Sequence, residues 1–70
     1  METRQVRGSI VDAMAEAVNW AKSLGARKPQ YDNDNDSGEV YFKSKGVNRV
    51  IKVRWSGPED NDFKLTFTEA

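Results

Sequence analysis

Apolar residues recur along this chain at two different spacings, and the change falls near residue 38. From Ile10 to Leu24 they return every three or four positions. Ile10, Met14, Ala17, Ala21 and Leu24 share one side at about 100° per residue, with Val11 and Val18 beside them. Asp12, Glu16, Asn19 and Ser23 fall opposite, and Trp20 sits at the margin of the stripe next to Glu16. Ser9-Ile10-Val11-Asp12 has the form of a capping box, Ala13 to Ala17 are mostly strong helix formers, and Gly25 follows Leu24 where a left-handed cap residue belongs. The pattern predicts a helix over residues 9–25.

Beyond residue 38 the spacing becomes two. Val40 and Phe42 alternate with Tyr41 and Lys43. Ile51, Val53 and Trp55 alternate with Val50, Lys52 and Arg54, and Phe63, Leu65 and Phe67 alternate with Lys64, Thr66 and Thr68. Such runs, rich in β-branched and aromatic residues, are strand signatures. Lys45-Gly46-Val47-Asn48 and the segment from Ser56 to Asp62 supply the turns. Short connections make the strands antiparallel, with the middle one central. Symmetric closure of the second turn pairs Trp55 with Phe63, Val53 with Leu65 and Ile51 with Phe67. The first turn places Phe42 near Ile51, Val40 near Val53 and Tyr41 opposite Lys52.

Residues 1–8 read as a lead-in, because Gly8 weakens a continuous helix. Residues 26–38, with Pro29 and the run Asp32-Asn33-Asp34-Asn35-Asp36-Ser37-Gly38, read as an acidic, polar loop. The expectation is one small α+β domain over residues 1–70. Its single N-terminal helix covers a three-stranded antiparallel meander at 39–68, an α-β-β-β order in two layers.

Composition narrows the chemistry. The 70 residues contain no histidine and no cysteine. No side chain therefore has an unperturbed pKa near neutrality, and the nucleophile–histidine hydrolases and the usual zinc sites lose their residue types. No catalytic residue, cofactor or metal is expected, and the chain reads as a non-enzyme. The N-terminus, Met1-Glu2-Thr3-Arg4, lacks the apolar run of a signal peptide, which makes a cytoplasmic protein the expectation. Eleven basic residues balance eleven acidic ones. The balance is uneven along the chain: no acid lies between Val40 and Gly57, whereas Lys43, Lys45, Arg49, Lys52 and Arg54 do.

Strand alternation sends Tyr41, Lys43, Lys52, Arg54 and Lys64 to the face away from the helix. Arg54 then opposes Lys64 directly, an arrangement that costs a sheet stability. A cationic face with one aromatic platform suits phosphates and a stacked base. The competing explanation is a solvated strand face whose cations discourage edge pairing.

Other constellations carry less. The run starting at Asp32 resembles a calcium loop, but Lys43 or Ser44 stands where the closing glutamate belongs. Asp12 and Glu16 lie one turn apart on the wet side of the helix near its positive end, which explains them electrostatically.

The chain is expected to be a small non-enzymatic binding or accessory module whose basic sheet face, Tyr41, Lys43, Lys52, Arg54 and Lys64, contacts nucleic acid or an acidic protein surface. The alternative is a protein-binding adaptor or inhibitor acting through Trp20 and Glu16 on the helix surface, a sheet edge or the acidic loop. A homodimer is compatible with either, since a thin sheet leaves two edges open.

Overall fold

A computed structural model describes residues 2–56 and 62–69. It is α+β, one helix against an antiparallel sheet, but the sheet has five strands rather than three. The elements run β1 (Glu2–Arg7), α1 (Ile10–Ser23), β2 (Gln30–Asn33), β3 (Ser37–Ser44), β4 (Val47–Trp55) and β5 (Asp62–Glu69). In space the order is β1-β5-β4-β3-β2, every neighbouring pair antiparallel. The helix leads from one edge strand to the other, and the remaining strands return as a meander.

The two additional strands correct the expected lead-in and loop. The lead-in contains β1, which pairs with β5 from Glu2 opposite Phe67 to Arg7 opposite Asp62. The polar loop contains β2 and the start of β3, a hairpin closed where the Asp34 N–H donates to the Ser37 carbonyl at 2.8 Å. Both additions are sheet edges, where half of the backbone and most side chains stay in water, so little apolar patterning is required of them.

The helix ends follow the sequence chemistry closely. The Ser9 side chain accepts from the Asp12 N–H, while the Asp12 carboxylate accepts from the Ser9 N–H at 3.0 Å. At the other end Ala26 donates to the Ala21 carbonyl at 3.1 Å and Gly25 to the Lys22 carbonyl at 3.0 Å, the paired bonds of a Schellman cap. The Ser44 hydroxyl, buried at the end of β3, donates to the Leu24 carbonyl at 2.6 Å and ties the sheet to the helix terminus.

Ala13, Met14, Ala17, Trp20 and Ala21 are the buried residues of the helix. They rest on Val40, Phe42, Ile51, Val53, Phe63 and Leu65, so the inward side of β3, β4 and β5 is the expected alternating apolar set except at Trp55, which is 45% exposed at the end of β4. Small alanines let the helix backbone approach the large side chains. Val11, expected beside the stripe, is 71% exposed, whereas Trp20, expected at the rim, is 2% exposed. β5 and β1 continue the sheet beneath Trp20, whose ring lies 5.9 Å from Phe67 and 4.1 Å below the Arg4 guanidinium.

The register of β4 against β5 is the expected one, with Trp55 opposite Phe63, Val53 opposite Leu65 and Ile51 opposite Phe67. The register of β3 against β4 differs by two residues: Val40 faces Ile51, Phe42 faces Arg49 and Gly38 faces Val53. The reason is a tighter turn. Lys45 and Gly46 form a two-residue connection with φ of 53° and 79°, both left-handed, as the twist-matched hairpin turn requires. A shift of two preserves which face each side chain occupies. It carries Gly38 into the buried set beneath Met14.

Candidate polyanion interface

β4 and β5 place the centre of the outer face. Lys52 lies opposite Thr66 and Arg54 opposite Lys64, with Lys52 and Arg54 two residues apart on one strand. All three cations are exposed. Among the described residues none of them is in an ion pair. β1 extends this surface with Gln5 opposite Lys64 and Thr3 opposite Thr66. The result is a patch of three cations flanked by side-chain hydrogen-bond donors. Arg7 lies at the end of the same face, where its Nε is 3.3 Å from the Asp62 carboxylate.

Beside this patch, β3 and β2 carry acids. Glu39 lies opposite Lys52 on one side and Asp32 on the other. Arg54 borders a hollow of about 90 Å³ whose other charged walls are Asp32, Asp34 and Glu39. The boundary between the patch and these acids runs between β4 and β3.

Two of the five expected site residues stand apart from the cationic patch. Lys43 is opposite Asn48, at the β3–β4 turn. Tyr41 is opposite Val50 rather than Lys52, a consequence of the shifted hairpin. Its hydroxyl donates to the Glu39 carboxylate at 2.6 Å. That bond, with some desolvation and the charges of Glu39 and Asp32, raises the phenol above its ordinary pKa of 10.0. The ring itself is 49% exposed, beside an acid.

Trp20 and Glu16 are engaged within the molecule. The indole is covered by Arg4, and a Glu16 carboxylate oxygen is 3.6 Å from an Arg4 nitrogen. Asp12 is committed to the cap at Ser9. The two helix carboxylates therefore serve local structure, and Trp20 has almost no surface to present outward. The Asp/Asn run is a hairpin, and among the described residues no group of three acidic side chains is placed to hold a metal ion. No described helix is long and apolar enough to cross a membrane.

Thr3, Gln5, Asp32 and Glu39 escaped the sequence reading as members of this face. Thr3, Gln5 and Arg7 do alternate with Glu2, Arg4 and Val6, but a single apolar residue gives that alternation no direction. Compared with protein-family models, curated proteins and solved structures, the chain gives no match.

Proposed function

We propose that this chain is a small binding module whose outer sheet surface holds a polyanion through Lys52, Arg54 and Lys64, with a nucleic-acid backbone as the favoured ligand. The observation that carries this reading is the direct opposition of Arg54 and Lys64, with Lys52 beside them and none of the three in a salt bridge among the described residues, although Glu39 stands across from Lys52. Opposed cations weaken a sheet, whereas a phosphate between them turns the same pair into two charge-assisted contacts. Thr3, Gln5 and Thr66 add neutral donors to the patch. The acids Glu39 and Asp32 repel phosphates, so the ligand's path runs over β4, β5 and β1 rather than across the whole sheet. Tyr41, bonded to Glu39, lies on the wrong side of that boundary to serve as the stacking platform, which favours backbone contact over base recognition.

Titration of single-stranded and duplex oligonucleotides at several salt concentrations tests the proposal. Three neutralised phosphates give a slope of about −2 to −3 in log affinity against log salt. Replacing Lys52, Arg54 and Lys64 together by glutamine removes the binding. Absence of binding by the natural sequence at low salt ends this reading.

A further inference from the structure

The edge strand β2 and the helix enclose a second, chemically different surface. A groove of about 400 Å³ runs between them, lined by Val11, Met14, Ala15 and Val18 of the helix and by Tyr31 and Asn33 of the strand. Val11 at 71% and Tyr31 at 62% are the two most exposed large hydrophobic residues of the described chain, and both lie on this groove.

Backbone geometry adds a direction. Asp34 and Ser37 form a hydrogen-bonded pair at the hairpin end. Antiparallel pairs alternate, so Asp32–Glu39 is again a hydrogen-bonded pair, while Asn33–Gly38 and Tyr31–Val40 are not. The N–H and C=O groups of Tyr31 and Asn33 therefore point outward from the sheet, and among the described residues no strand lies beyond β2 to receive them. Their side chains point to the groove, and that of Asp32 to the outer face.

Charge completes the requirement. Asp32 stands directly opposite Glu39, two like charges across the outermost strand pair, and has no cation partner among the described residues. At the opposite edge, Glu2 and Arg4 of β1 share the face of Phe67 and Leu65, and inward charges of this kind guard a strand against pairing. β2 has only Tyr31 and Asn33 on its corresponding side.

We infer that β2 accepts an extended peptide as a sixth, antiparallel strand, with an apolar–basic–apolar sequence opposite Asn33, Asp32 and Tyr31. The two apolar side chains enter the groove against Val11 and Val18. The intervening lysine or arginine comes beside Asp32 and relieves its repulsion with Glu39. Main-chain bonds to Tyr31 and Asn33 supply the pairing, and the groove and Asp32 supply the selectivity.

A labelled peptide of alternating valine and lysine, titrated into the full chain, tests this inference. Binding is expected, with slowed hydrogen exchange at the Tyr31 and Asn33 amides. N-methylation of the valine amides, which face β2, weakens binding about tenfold or more, while N-methylation of the lysine amides, which face away, leaves it nearly unchanged. Asp32→Lys weakens this peptide about three- to tenfold and strengthens an alternating valine–glutamate peptide. The inference is overturned by no binding at about 1 mM peptide, by equal effects of the two methylation patterns, or by exchange protection that falls elsewhere. The methylation comparison uses the natural protein and does not depend on any variant folding.

Discussion

Gly38 shows how much one side chain's absence contributes here. A methyl group at that position would lie 2.5 Å from the Met14 sulfur and 2.8 Å from the Asn33 Cβ, with the Asp32 carbonyl at 3.0 Å. The helix rests on β3 at this point because there is no Cβ to hold it off. Gly38→Ala is expected to cost about 1–3 kcal/mol, as overpacked core positions do, read from the urea midpoint. Combined with Met14→Ala, it should cost less than the two single changes summed, because the flexible thioether is one of the groups in the way. Tyr41 makes a different residue-level statement. Its neutral phenol donates to an ionised carboxylate, so losing the proton forfeits the bond and sets two anions side by side. The folded-state pKa is raised, so any stability this bond contributes is present below the unfolded phenol value and is lost as pH rises through the folded one. An ultraviolet titration should show Tyr41 ionising above 10.0, and Glu39→Gln should bring it back down.

Among the elements, those whose two sides differ most were the most legible in the sequence. Ile51, Val53 and Trp55 set against Lys52 and Arg54 fixed the sidedness of β4, and the same alternation in β5 settled their register. The helix was equally readable, since Ser9, Asp12 and Gly25 marked its ends with specific backbone bonds. β1 was hidden because Val6 is its sole apolar residue, and β2 because Asp32 and Asn33 are turn formers that pairing with β3 holds extended. Trp20 is buried rather than at the rim for the same reason: Phe67 of the expected β5 packs on one part of its ring, and Arg4 of the hidden β1 covers it. The β3–β4 hairpin was read two residues out of step because Lys45-Gly46-Val47-Asn48 admits more than one turn. The observed turn places Lys45 at φ 53°, a conformation that costs an ordinary side chain roughly 1–2 kcal/mol and asparagine less. Lys45→Asn is therefore expected to stabilise the protein by about 0.5–1 kcal/mol, seen as a higher urea midpoint with an unchanged slope.

Over the whole molecule, a net charge of zero conceals an ordered separation. Lys52, Arg54 and Lys64 gather on β4 and β5, and Asp32 and Glu39 on the neighbouring β2 and β3, of a single face, while the helix covers the opposite face. The separation distinguishes a surface shaped for stability from one shaped for a ligand, because the two respond oppositely to one change. Lys64→Glu converts the opposed pair with Arg54 into an attractive one, and cross-strand pairs of this kind contribute about 0.2–1 kcal/mol. The variant should melt later than the natural chain at low salt, and that advantage should shrink as salt screens both pairs. If the face serves a polyanion, the same variant should lose oligonucleotide binding at every salt concentration, despite its greater stability. A merely solvated face would gain the stability and show no binding to lose. Melting curves and oligonucleotide titrations on the two proteins, taken in the same buffers, separate these outcomes because a folding defect cannot account for lost binding in a chain that has become harder to unfold.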